Sequence, residues 1–136
     1  MESWFLWTMM ALVTFGLWGF FPKLAVNYIN PGSALIYQVI GGLLVGIIGL
    51  SLMGFRPQTH PLGIFFALLT GITGVLGTFF YYAAASRGQI SIVVSLTALY
   101  PLITIVLAAV FLHEIITLRQ VTGLLFAVAA IIFLAG

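Results

Sequence analysis

Few residues of this 136-residue chain could do chemistry, and nearly all of them lie in or beside apolar stretches. Lys23 directly follows Pro22. Proline lacks the N–H that would bond four residues back, so Pro22 leaves the Trp18 carbonyl open as an acceptor for polar groups. An ammonium at the centre of a membrane helix costs about 2.5–3.5 kcal/mol on insertion scales, so such a group faces protein or water. Lys23 therefore reads either as a contact for a polar ligand or, within a turn of a helix end, as an anchor whose head reaches the interface. Pro101 frees the Thr97 carbonyl in the same way, and Thr97, Tyr100 and Thr104 share its face; the group reads as a substrate wall or hinge, or as a kink that serves packing alone. Tyr81 lies on a stripe with Thr70, Thr73, Gly74 and Gly77, as a cavity residue or as part of the aromatic belt expected for Tyr82, Trp4 and Trp7. Gln38, on a glycine face, reads as an interhelical hydrogen-bonding residue or a substrate contact.

This is the chemistry of binding rather than of bond making. No Asp or Glu falls mid-stretch and no nucleophile–base pair is visible, so no enzyme is expected. His60 and His113 stand at helix ends without metal-ligand spacing to each other or to paired acids, and no metal or cofactor is expected. With no cysteine, disulfides and thiolate sites are excluded.

The elements that must position these groups are five apolar stretches at residues 4–26, 31–53, 61–84, 91–112 and 117–136. A helix of ~20 apolar residues spans ~30 Å of hydrocarbon, so each predicts a transmembrane helix. The expected fold class is an all-α integral membrane protein. Hydrophobic residues make up 63% of the chain and charged residues 4%, against about 25% in soluble domains, which leaves too little polar surface for a soluble core and too little charge for disorder. The net charge of +2 comes from Lys23, Arg56, Arg87 and Arg119 against Glu2 and Glu114, so no basic patch for nucleic acid exists. The first stretch does not read as a signal peptide, because Glu2 stands where a positive segment belongs and no small-residue cleavage site follows.

The boundaries carry helix-start chemistry. Asn30-Pro31 reads as an N-cap with Pro at the first helical position, and His60-Pro61 repeats it. Ser91 is the expected N-cap of the fourth helix, Thr117 to Gln120 a capping box opening the fifth, and Gly88 a left-handed end to the third. Glu114, between the fourth and fifth helices, is expected to accept loop N–H groups or pair with Arg119. Each helix also carries a small or polar stripe: Thr8, Gly16, Gly19 and Lys23; Gln38, Gly42, Gly46 and Gly49; the Tyr81 stripe; Thr97, Tyr100 and Thr104; and Gln120, Gly123, Ala127 and Ala130. Helices in lipid associate through close contact at small residues, so these stripes predict the inward faces of one bundle. Lys and Arg divide two against two between the two sides, which gives no orientation bias unless Lys23 is discounted as intramembrane.

Several segments resemble a known repeat. They are Trp18-Gly19-Phe20-Phe21-Pro22-Lys23, Ala83-Ala84-Ala85-Ser86-Arg87-Gly88, Ser91 through Leu99-Tyr100-Pro101-Leu102, and Leu112-His113-Glu114 through Gln120-Val121-Thr122-Gly123. In order and spacing they are similar to the EamA-type repeat of the drug/metabolite transporter superfamily. The resemblance covers essentially the whole chain and implies a single EamA-like domain over residues 1–136, with Trp18 supporting the first helix near a cavity. Members commonly carry ten helices in two five-helix repeats, and an Arg is common where this chain has Gln38, so an anionic substrate is not implied. Five helices being an odd number, a second fused repeat enters inverted, and inverted repeats support alternating access around a midplane site. A lone repeat needs another half. The small multidrug exporters of the superfamily have four helices and a carboxylate in the first, which this chain lacks, so proton-coupled export of organic cations is not expected.

The resemblance thus implies a half-size transporter of a small organic metabolite, an amino acid or similar, working as a homodimer, antiparallel in one arrangement, or with a second half-transporter. The expected setting is the lipid bilayer of a prokaryotic cytoplasmic (inner) membrane. The competing expectations are a non-transporting subunit of a larger membrane complex and half of a lipid-linked carrier or flippase.

Overall fold

The computed structural model of the protein describes residues 3–135, and every regular element among them is helical. Helices α1 (Ser3–Val26), α2 (Pro31–Leu52) and α3 (Pro61–Arg87) belong to one compact unit, Met1–Arg87. Helices α4 (Ile90–Thr97), α5 (Tyr100–Phe111) and α6 (Leu118–Ala135) belong to a second, Gly88–Gly136. Among the described residues, four segments are long and apolar enough to cross a membrane: Trp4–Val26, Pro31–Leu52, Pro61–Arg87 and, taking α4 and α5 together, Ile90–Phe111. The last apolar helix, Leu118–Leu134, is shorter.

Side-chain caps set several starts as the sequence predicts. Asn30 Oδ1 accepts the Ser33 N–H at 2.8 Å, with Pro31 first in α2. His60 Nδ1 accepts the Gly63 N–H at 3.4 Å at the head of α3. At α6 the capping box closes in both directions: the Thr117 N–H donates to Gln120 Oε1 at 2.8 Å, and the Gln120 N–H to Thr117 Oγ1 at 3.3 Å. These bonds occupy N–H groups that the first helical turn cannot satisfy itself.

Other boundaries differ from expectation. The third helix runs to Arg87, past residue 84, because nothing in Ala83-Ala84-Ala85-Ser86 opposes helix. Gly88 is not left-handed; among the described residues that conformation falls at Gly54, Phe55 and His113. Gly54 (φ 62°) ends α2 in a Schellman arrangement, with Gly54 N–H bonded to the Ser51 carbonyl and Phe55 N–H to the Leu50 carbonyl, both at 3.0 Å. Ser91 lies inside α4, whose N-cap is the extended Gln89. The fourth span is not one kinked helix: α4 stops at Thr97, and α5 begins at Tyr100 with Pro101 in its first turn. Ala98 and Leu99, with ψ of −3° and −11°, form a tight turn in which the Leu99 N–H reaches the Leu96 carbonyl at 3.2 Å. The ring of Pro101 would collide with the Thr97 carbonyl in a continuous helix, and the backbone tightens one turn earlier instead.

In the first unit, burial concentrates at one end of the α1–α3 pair. Thr78, Tyr81, Tyr82 and Ala85 are buried on one face of α3, spaced i, i+3, i+4, i+7, and Gly19 and Pro22 are buried on α1. From α2, Ala34 is the buried residue. In the second unit, α4 packs on α6. The expected bundle of small-residue stripes is only partly formed. A side chain added at Gly16, Gly42, Gly46, Gly49, Gly74, Gly77 or Gly123 would meet no atom within 4 Å. Within each unit, no described helix covers those faces at close range.

Candidate functional site

Three of the sequence-predicted residues, Trp18, Lys23 and Tyr81, come together where α1 and α3 meet. Pro22 sits inside α1 and disturbs the hydrogen bonding of the turn before it. The carbonyl that takes a partner from another helix is not that of Trp18 but its neighbour's: the Tyr81 hydroxyl donates to the Gly19 carbonyl at 2.7 Å. Tyr81 is only 5% exposed, so this bond gives a buried phenol the partner it needs. One turn further on, Lys23 Nζ donates to the Ala85 carbonyl at 2.8 Å. Ala85 has no exposed surface and belongs to the last turn of α3, where carbonyls lack partners within the helix. A cation there also meets the negative end of the helix dipole, an effect of about 0.3–1 kcal/mol at exposed ends and up to about 2 when partly buried. Lys23 therefore caps α3 as well as lying within α1.

The Trp18 ring packs on Tyr81 with centroids 5.2 Å apart and planes at 35°, a tilted pair within the spacing of interacting aromatic rings. Trp18 stays 39% exposed, so one side of the indole is open beside this polar junction. Gln38 is half-buried on α2, and no side-chain hydrogen bond joins it to Lys23, Trp18 or Tyr81 among the described residues.

In the second unit, Thr97 Oγ1 donates to the Val93 carbonyl at 2.8 Å, and Thr104 Oγ1 to the Tyr100 carbonyl at 3.4 Å. Both hydroxyls are thus turned onto their own helices, while Tyr100 is 62% exposed. Pro101 opens α5 between them. The expected loop role of Glu114 is not seen. Its carboxylate makes no ion pair with Arg119 and accepts no loop N–H among the described residues; both side chains are exposed, and the capping box orders the turn without them. The same residues hold no group of three His, Cys, Asp or Glu side chains able to bind a metal.

Sequence reasoning missed the acceptors Gly19 and Ala85 and placed Tyr82 in the interface belt, whereas Tyr82 is buried. The signal for Tyr82 was present in the spacing of Thr78, Tyr81, Tyr82 and Ala85, which marks one helical face. A main-chain carbonyl carries no such signal.

Residues 2–136 match the EamA-like transporter family. Over 127 residues the chain is 28% identical to the uncharacterized protein MJ1333.1 of Methanocaldococcus jannaschii, covering 93% of this chain and 92% of that protein. Over 103 residues it is 32% identical to the uncharacterized transporter YvbV of Bacillus subtilis, covering 71% of this chain but only 34% of YvbV. No solved structure matches.

Proposed function

The chain belongs to the EamA-like transporter family, and on that premise we propose that it carries a small organic metabolite, an amino acid or similar, across a prokaryotic cytoplasmic (inner) membrane by alternating access as a dimer. The observation that carries this reading is the match of one family domain to residues 2–136, on a chain whose long helices are apolar enough to lie in a bilayer. With α6 as a fifth span, two copies inserted in opposite senses reproduce the inverted repeats on which alternating access rests. The glycine faces without close neighbours, above all Gly42, Gly46 and Gly49 of α2, are where a second copy or another half-transporter can approach.

Within this reading Trp18, Lys23 and Tyr81 form one part of the substrate path, Gln38 a second, and Thr97, Tyr100 and Thr104 a third, with Pro22 and Pro101 as the points where α1 and the α4–α5 span bend. Two experiments test it. Purified protein in lipid vesicles should exchange labelled amino acids across the bilayer, and reporters fused at the C-terminus should give signal on both sides of the membrane. Absence of flux together with a stoichiometric co-purifying partner would favour the non-transporting subunit or the carrier half instead.

A further inference from the structure

Among the described residues, two side-chain hydrogen bonds between α1 and α3 are reciprocal. Tyr81 of α3 donates to the Gly19 carbonyl of α1, and Lys23 of α1 donates to the Ala85 carbonyl of α3. Each helix thus supplies one donor and one acceptor, a turn apart, and Gly19 and Pro22 of α1 and Tyr81, Tyr82 and Ala85 of α3 are buried there. Sliding either helix along the other breaks both bonds at once and takes from the buried Tyr81 hydroxyl its acceptor, where an unsatisfied polar group is costly. The contact of α2 with α3 is of another kind. Leu35 of α2 and Gly71, Ile72, Val75, Leu76 and Phe79 of α3 line an open, wholly apolar groove, and Ala34 is the buried residue that α2 contributes. Among the described residues no hydrogen bond joins α2 to α3, and apolar contact is non-directional, so no polar bond pins the register of that pair.

We propose that α1 and α3 form one rigid body, fixed by Lys23 and Tyr81, and that α2 is the helix of this unit that shifts against it. Lys23 and Tyr81 then act as positioning residues that hold Trp18 and Pro22 in one place, while the groove beside Leu35 opens and closes. The functional meaning rests on the transport reading, but the rigidity is a property of the protein in a bilayer without substrate.

The chain has no cysteine, so introduced pairs report without background. Spin labels at Phe20→Cys with Phe80→Cys span α1 and α3, and labels at Ile47→Cys with Phe80→Cys span α2 and α3; all three positions are exposed. The protein is reconstituted in phosphatidylethanolamine–phosphatidylglycerol vesicles, diluted with unlabelled protein, and the distance distributions are read by pulsed electron paramagnetic resonance. The α1–α3 pair is expected to give one narrow peak and the α2–α3 pair a broad or split one. Combining Tyr81→Phe with Lys23→Met should abolish the narrow peak, while Lys23→Arg, which keeps a donor, should retain it. Tyr81→Phe alone, which preserves the ring, serves where the combined variant does not reconstitute, and should broaden the peak partway. An α1–α3 distribution as broad as the α2–α3 one, or a narrow peak indifferent to loss of the donors, overturns the proposal. Flux is read on the same vesicles; its absence beside a narrow α1–α3 peak removes the transport reading and leaves the rigid pair standing.

Discussion

Lys23 and Tyr81 grip each other's helices in one register: Lys23 reaches Ala85 and Tyr81 reaches Gly19, so in both bonds the residue of α3 lies 62 positions after its partner in α1. An offset that stays constant while both chains advance by four residues means that α1 and α3 run parallel there, as the first and third passes of an up-and-down chain must.

Tyr81→Phe removes a single hydroxyl from a buried ring and leaves the Gly19 carbonyl without that donor. Side-chain hydrogen bonds in membrane proteins contribute about 0.6 kcal/mol on average and about 1.7 at most, and the buried setting places this one toward the upper end. The variant is expected to be less stable by about 1 kcal/mol in thermal or steric-trap unfolding, with the Trp18 fluorescence environment little changed because the ring contact persists.

Lys23→Ala is expected to abolish flux in reconstituted vesicles without lowering expression. Full flux with reduced stability would instead assign Lys23 to capping α3 alone, the role visible in its bond to Ala85. The ratio of the two effects separates a residue that meets the solute from one that only holds the helix end.

Pro101→Ala restores the missing N–H and removes the ring from the path of the Thr97 carbonyl. Proline is less favourable than alanine in a helix interior by about 3 kcal/mol, so α4 and α5 should fuse into one helix. Slower hydrogen exchange at Ala98 and Leu99 would report the fusion. Unchanged exchange there would show that the turn is held by packing rather than by the proline. If the turn is a working hinge, flux falls as exchange slows.

Gly46→Leu introduces a side chain that meets nothing within 4 Å in the chain itself. The monomer should therefore fold normally, and any loss must come from association. Cross-linking in membranes is expected to show fewer dimers, and a wild-type dimer yield would mean that this face of α2 meets lipid.

How much of this was legible in the residues depends on whether the deciding group was a side chain. Asn30, His60 and the Thr117–Gln120 pair announce helix starts because a polar side chain beside an apolar run has a local task, and each cap forms. The break at Ala98–Leu99 was signalled by Pro101, but whether a helix kinks or stops depends on the three-dimensional path, which spacing does not encode. The expected Glu114–Arg119 pair failed because two exposed charges near water gain little by meeting. The stripes overreached for a different reason. In a soluble chain an apolar face points inward, whereas here lipid and protein are equally apolar, so composition marks where helices can approach but not which of them do. Tyr81 and Lys23 stood out as candidates, yet their acceptors are main-chain atoms that every residue possesses.

The length of α3 has a mechanical consequence. Its 27 residues rise about 40 Å, roughly 10 Å more than a typical hydrocarbon slab. A helix that overshoots the bilayer tilts, bends or thickens the lipid around it, and its lean depends on local thickness. Because Lys23 and Tyr81 bind α1 to α3, a change in that lean is handed to α1. Acyl-chain length thereby becomes an external control on the posture of the pair, felt with no ligand bound.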